Sequence, residues 1–327
     1  MAPLLLTGVT GGLGAKILHD LLHVQKVKPQ DIIATSRSES RREEFESQGV
    51  QFRVLDYNRP ETATSALQGV DQLFFVASAT RDNAVRFQEH KTVVDAAKKA
   101  GVKRVWYNSL AFGGWGDDSK IGFQQVHYET ENMLLESGMD FINIRAGIYA
   151  DAFPLFLNWY PSSKKIYLPK LDPPTSVGGS AWASRDELGE AHAVLLAKGL
   201  EAFPSIKPVG PKRLILLTGP EAQSLDSMAG AISRAKGNDI PLEFLEPKAW
   251  VDESVTDDDG GKPRGWFEAR LVYAEGTAKG DAEVVDPAMG VLLGRRPETG
   301  TETVERLLRE NPKYTWHQNH AVPVPDY

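Results

Sequence analysis

Leu4-Leu5-Leu6-Thr7-Gly8-Val9-Thr10-Gly11-Gly12-Leu13-Gly14 is the stretch that decides the fold. Three apolar residues predict a short buried strand, glycines recur every third position, and residues 15–22 place apolar side chains at the helical period. Strand, turn and helix in that order make the mouth of a dinucleotide-binding unit. Gly8 permits the tight turn, Gly11 lets the backbone approach a pyrophosphate, and Gly14 lets helix and strand pack closely, with phosphates on the helix N-terminus. Thr10, Gly12 and Leu13 complete the predicted loop contacts. The spacing is G-x-x-G-x-x-G rather than G-x-G-x-x-G, and a glycine triplet alone is a weak signal that also fits a loop needing only positive φ. The flanking strand and helix favour the nucleotide.

Outward from this loop the pattern repeats. Residues 31–36, 50–55, 72–77, 103–108 and 140–145 read as further strands, with helices predicted at 84–100, closed by Gly101, and at about 127–137, closed by Gly138. Alternation of strands and helices means right-handed βαβ units, hence an α/β doubly wound parallel sheet over residues 1–150. Residues 151–327 are assigned to a smaller α/β substrate lobe with some return to the main core, built on helices 184–199 and 224–236 and strands 213–218 and 242–244. The stretch 151–180, rich in Pro and aromatics, reads as a substrate-covering loop or as a connector that fills the core edge. The acidic segment 252–262 reads as a solvated loop.

Composition narrows the chemistry. With no cysteine in 327 residues, disulfides, thiolate catalysis and Cys-ligated metals are excluded. A net charge of −7 argues against a nucleic-acid partner. No apolar run approaches a membrane span and no secretory leader is visible, so a cytoplasmic protein is expected. His317 and His320 share a helical spacing, but without a carboxylate in a matching motif no metal is expected there. The expected partner is a small apolar or aromatic substrate, with a homodimer as the candidate assembly.

In this fold the residue ending the second strand selects the cofactor: an acid bonds the ribose 2′-hydroxyl, an arginine the 2′-phosphate. Ser36-Arg37-Ser38 stands there, with Arg41 and Arg42 behind, which favours NADPH. Asp56 reads as an adenine contact or as a turn cap. Ala77, Ser78 and Ala79, ending the fourth strand, are expected to floor the ribose and nicotinamide.

The glycine loop, residues 95–105, Tyr107-Asn108-Ser109-Leu110, His127-Tyr128-Glu129-Thr130-Glu131, residues 144–149, Ser184-Arg185-Asp186-Glu187-Leu188, residues 217–222 and 292–297 together resemble the NmrA-like group of atypical short-chain dehydrogenases, closest to the NADPH:quinone oxidoreductase type. The resemblance covers nearly the whole chain. It implies an NADPH-dependent oxidoreductase, with Gly147, Ile148 and Tyr149 as backbone contacts beside the nicotinamide. It also exposes a departure. In the Tyr-x-x-x-Lys pattern of short-chain dehydrogenases, the Lys lowers the phenol's pKa so that it can pass a proton. Here the Lys position falls on His127 and the Tyr position on Phe123.

His127 is left with three readings: anchor of the ribose hydroxyls, proton donor with a pKa near neutrality, or structural histidine. Ser109 reads as a substrate or cofactor contact or as a cap, and Tyr128 as a less favoured donor, since one step along a helix rotates it by about 100° from His127. Phe112, Trp115, Phe123, Tyr149, Phe153, Phe156, Trp159 and Trp182 are expected to supply a flat apolar pocket, some of them being core. The expected reaction is hydride delivery to a quinone, enone or iminium. A cofactor-binding redox sensor without turnover and a non-redox isomerase or cyclase are the alternatives.

Overall fold

The computed structural model describes residues 3–317. Leu4, Leu5 and Leu6 are fully buried and form β1 (Leu4–Leu6), a run with apolar side chains on both faces, as a central parallel strand requires. Helix α1 (Gly12–His23) leads to β2 (Ile32–Ser36), then α2 (Arg42–Glu46), β3 (Gln51–Val54), α3 (Pro60–Ala66) and β4 (Gln72–Val76). Next come α4 (Asn83–Ala100), β5 (Arg104–Leu110), α5 (Gly122–Ser137) and β6 (Asp140–Ala146). The Asp82 carboxylate caps α4 by accepting from the amides of Ala84 and Val85, and Gly101 (φ 73°) and Gly138 (φ 76°) stop α4 and α5 in the left-handed conformation.

The chain continues through α6 (Phe153–Leu157), β7 (Ile166–Pro169), α7 (Arg185–Lys198), β8 (Leu214–Leu217), α8 (Leu225–Lys236) and β9 (Leu242–Leu245). It closes with α9 (Pro247–Thr256), α10 (Arg264–Ala278), α11 (Ala288–Leu293) and α12 (Gly300–Glu310). The main sheet has seven strands in the order β3-β2-β1-β4-β5-β6-β8, each pair parallel. Leu4 and Leu6 face a core shared with α1 and α7, whereas Leu5 faces a core shared with α3, α4 and α5. Strand order reverses between β1 and β4, the switch point at which α/β sheets open a crevice for ligands.

Two expectations change in the second half, and one open reading narrows. The strand and helix assigned to the small lobe at 213–218 and 184–199 belong to the main layer: β8 pairs with β6, and α7 packs on α1, where Gly189 allows close approach because a Cβ would meet the Lys16 side chain at 2.3 Å. Alternation of buried residues could not reveal that return, because both lobes use the same local pattern. The acidic segment is not a solvated loop. Residues up to Thr256 finish α9, and beyond them Lys262 is buried against the Asp258 carboxylate and the Tyr160 hydroxyl. The segments 151–160 and 166–169 are mostly buried, and Phe153 and Trp159, with Trp182 just beyond, join a second cluster with α8, Tyr273 and α12, which favours the reading of 151–180 as a connector that fills the core edge.

Candidate functional site

The glycine loop has the shape its spacing predicts. Gly8 takes φ +70°, and a Cβ there would lie 2.9 Å from that of Val76. Gly14 presses on the turn, since its Cβ would come within 2.2 Å of the Gly8 carbonyl oxygen. The Thr7 hydroxyl accepts the Val76 amide at 2.8 Å, stitching β1 to β4 at the switch point. Ala15 makes the first helical bond, to Gly11 at 2.8 Å, and no side chain caps the helix. The amides of Gly12, Leu13 and Gly14 are therefore the donors that a helix start leaves for an anion. Thr10 and Gly12 are exposed, while the Leu13 side chain belongs to the core and can offer only its backbone.

One contributor escaped the sequence reading. A Cβ on Gly12 would sit 2.2 Å from Nη1 of Arg185, so a guanidinium lies directly against the loop. The Arg185 amide donates to Asp151 Oδ2 at 2.8 Å, and its Cζ sits 4.8 Å from the Trp316 ring centre. These two contacts aim the side chain across the loop. In the sequence Arg185 stands in the Ser184 to Leu188 motif of the NmrA-like resemblance, at the opening of a helix, with nothing local to tie it to residue 12.

At the end of β2, Arg41 pairs with Glu44, and Arg42 with Glu39 and Glu46. Arg37 is exposed and has no ion pair among the described residues, which leaves its charge for a ligand. Asp56 serves its turn, its Oδ1 accepting the Asn58 amide at 3.0 Å. Ala77 and Ser78 are half-buried and Ala79 exposed at the end of β4. The Ser78 hydroxyl donates to Glu89, and its amide donates to His90 Nε2 at 2.9 Å. Glu89 also receives Asn58 Nδ2 at 2.7 Å and the Thr80 hydroxyl at 3.0 Å, so this floor is held from below.

His127 is 2% exposed. Its Nε2 lies 2.8 Å from Arg86 Nη2, and its Nδ1 lies 2.8 Å from the Tyr107 hydroxyl. Because a guanidinium can only donate, Nε2 is the bare nitrogen and the proton sits on Nδ1. Burial first, then the charge of Arg86, holds the ring well below the ordinary histidine range. The expectation of a proton donor titrating near neutrality is thereby corrected. His90 is held down to about 3 by burial and Arg86, and His192 to about 4 by burial.

These depressed values set an acid limit on stability. Unfolded histidines take up a proton around pH 6.5, which the folded sites refuse, so the stabilisation is complete above that pH and is lost as pH falls through it. Each of His90, His127 and His192 is expected to remove up to about 1.4 kcal/mol per pH unit between pH ~6.5 and ~4. Urea melts at stepped pH check this; a flat stability over that range would contradict it.

Ser109 and Tyr128 are also engaged internally. The fully buried Ser109 hydroxyl donates to Glu131 Oε1 at 2.7 Å, and Glu131 in turn binds Arg145 through Nε at 2.9 Å and Nη2 at 2.6 Å. The Tyr128 hydroxyl donates to the Phe112 carbonyl at 2.7 Å, and burial raises its pKa. Neither side chain is poised to meet a substrate, because the hydrogen bonds that hold each of them also use its proton. Gly147 and Ile148 are buried beyond β6, with the Gly147 amide on the Leu217 carbonyl at 2.8 Å. Half-buried Tyr149, its phenol pushed up to about 12 by burial, stands edge-on to Trp316 at 6.4 Å.

The aromatic set divides. Phe112, Phe153, Trp159 and Trp182 are core residues, and Trp115, 37% exposed, has no ring partner among the described residues. Phe156 and Phe123 are half-buried and can still present a face. Trp316, missed from sequence, joins Tyr149, Phe156 and Trp266 in a small apolar group. His320 of the proposed histidine pair lies outside the described residues, and among those described no three His, Asp or Glu side chains gather as a metal site. No helix among them is long and apolar enough to cross a membrane.

The loop and its surroundings fit a dinucleotide, and the comparisons agree. Residues 8–154 match the NAD(P)H-binding family. The chain is 39% identical over 321 residues to the NmrA-like family domain-containing oxidoreductase flvB of Aspergillus flavus, spanning 97% of this chain and 98% of that protein. The chain belongs to the NmrA-like family. This NmrA-like chain is also 27% identical over 312 residues to quinone oxidoreductase 2 of Escherichia coli, spanning 94% and 99% of the two chains. Its fold matches triphenylmethane reductase of Citrobacter sp., solved with NADP(H), at a TM-score of 0.77, with 26% identity over 93% of this chain and 99% of the other. At this level the protein is an NAD(P)H-dependent oxidoreductase of the NmrA-like type.

Proposed function

We propose that the protein is an NADPH-dependent reductase acting on a flat, conjugated, electron-poor acceptor such as a quinone, enone or iminium. The observation that carries this reading is the state of the three candidate proton donors. His127 is buried and neutral, Ser109 is spent on Glu131, and Tyr128 is spent on a backbone carbonyl. A simple ketone needs an acid at the moment of transfer. A quinone or iminium does not, and the proton that completes a hydroquinone can come from water.

When bound, NADPH supplies the hydride. The amides of Gly12, Leu13 and Gly14 and the Arg185 guanidinium would hold its pyrophosphate, and Arg37 its 2′-phosphate. Ala77, Ser78 and Gly147 to Tyr149 would line the nicotinamide end, with His127 fixing the wall behind them through Tyr107 and Arg86. Positioning then does most of the work left to the protein.

Arg37→Ala is expected to weaken NADPH by about ten- to a hundredfold, because a hydrogen bond to a charged group contributes about 1.5–3 kcal/mol, while leaving NADH within about twofold. Calorimetric titration of both coenzymes reads this, and equal losses would remove the assignment. The reductase reading is tested by NADPH oxidation against a panel of quinones and enones. Tight NADPH binding with no acceptor-stimulated oxidation would overturn it in favour of a redox sensor.

A further inference from the structure

Arg270, on α10, is enclosed by aromatic rings. Its Cζ lies 4.8 Å from the ring centre of Phe156, 4.9 Å from that of Trp266 and 5.9 Å from that of Tyr273. Arg81, in the loop that follows β4, shares the Trp266 indole at 4.6 Å. Two guanidiniums thus converge on one indole, and neither has an ion pair among the described residues.

Nε and Nη1 of Arg270 are buried without an acceptor. That differs from Arg145, which is met by Glu131 and Asp117, and from Lys262, which is met by Asp258. Arg270 as a whole is half-buried, but ring faces attract its cation while leaving these two enclosed N–H groups unsatisfied, which is costly. Burial lowers the Arg270 pKa to about 10; the Tyr273 phenol works in the opposite direction, Arg81 in the same one, and no carboxylate contributes.

The position matters as much as the charge. Phe156 and Trp266 pack in the same small group as Tyr149, the residue beside the predicted nicotinamide end, and Arg81 lies just past the carboxyl end of β4. The box therefore stands where a substrate would meet the sheet's ligand crevice.

We propose that Arg270, assisted by Arg81, anchors a carboxylate on the acceptor, so that the substrate is a planar conjugated acid whose ring lies against Trp266 and Phe156. The inference rests on the reductase reading for the word substrate, and on the arginine box alone for the anion. A guanidinium presents paired donors that match a carboxylate, which an uncharged or cationic dye would leave unused.

The test uses the full chain saturated with NADP+, which cannot deliver hydride, titrated by tryptophan fluorescence with anthraquinone-2-carboxylate and with its primary amide. The wild type is expected to bind the acid at least about tenfold more tightly than the amide, in line with one charge-assisted pair. Arg270→Met should abolish that preference while leaving the amide and NADPH within about twofold, and Arg270→Lys should keep part of it. If Arg270→Met does not fold, Arg81→Ala carries the same comparison, with the preference reduced at least about threefold. Equal affinity for acid and amide in the wild type, or a preference that survives the substitution, overturns the anchor. A carboxylate preference without NADPH oxidation by any quinone would defeat the reductase reading and leave the anion site standing. NADPH oxidation by a quinone together with equal affinity for acid and amide would do the reverse.

Discussion

Glu131→Ala is expected to lower the free energy of unfolding by about 3–5 kcal/mol, the usual cost of leaving a buried charge without its partner. Glu131 and Arg145 are both fully buried side chains. Arg145 meets Glu131 through two of its nitrogens, while its Nη1 donates at 2.6 Å to the carbonyls of Gly114 and Gly116. Asp117 also touches Arg145, but its side chain is 44% exposed and cannot replace a buried carboxylate. Lys212 would lose a neighbour at 3.7 Å as well. The expected failure spreads from the ion pair into the loop after β5, because the guanidinium is what ties those carbonyls down. Denaturant unfolding measures the loss, and a double variant, Glu131→Leu with Arg145→Met, should recover a large part of it by removing both charges together. A change below about 1 kcal/mol in the single variant would show that the pair is not what holds the loop.

Gly14→Ala is expected to cost both folding and cofactor. Its Cβ would stand 2.2 Å from the Gly8 carbonyl oxygen and 2.5 Å from the carbonyl carbon, so the first turn of α1 must move off the loop. Displacing the three amide donors should weaken NADPH by more than about a hundredfold, since each charge-assisted hydrogen bond contributes about 1.5–3 kcal/mol. Gly11→Ala is the informative contrast. The nearest atom to its added Cβ is the Gly8 oxygen at 3.5 Å, an ordinary contact, so the free protein should melt within a degree or two of the wild type, by about ±0.5 kcal/mol. Its NADPH affinity should still fall, because the methyl group would occupy the approach to the phosphates. If both variants melt alike, the distinction between packing glycine and approach glycine fails.

The parts of this molecule that could be read from sequence are those governed by neighbours along the chain. The strands up to β6, the stops at Gly101 and Gly138, and the roles of Gly8 and Gly14 all follow from spacing over a few residues. Arg185 could not be found that way, because it reaches the loop only after the chain has passed through the second lobe and returned. The fate of Ser109 was likewise hidden: whether a serine after a strand faces a ligand or a carboxylate depends on Glu131, one element away in space. His127 was identified as the residue in question, yet its protonation is set by burial and then by Arg86 from α4, neither of which sequence spacing reveals. The acidic run near residue 258 misled because charge alone suggests solvent, whereas Asp258 and Lys262 neutralise each other indoors.

The return of β8 and α7 to the main layer has a consequence for biosynthesis. The edge strand of the coenzyme-binding half and the arginine lying across its loop leave the ribosome only after Phe153 to Trp182 has been made. That half cannot finish during translation before about residue 217 emerges, and it must meanwhile keep an unpaired β6 flank from joining other nascent chains. A gene cut at residue 150 would accordingly yield not a portable coenzyme module but a sheet with a raw edge, prone to self-association.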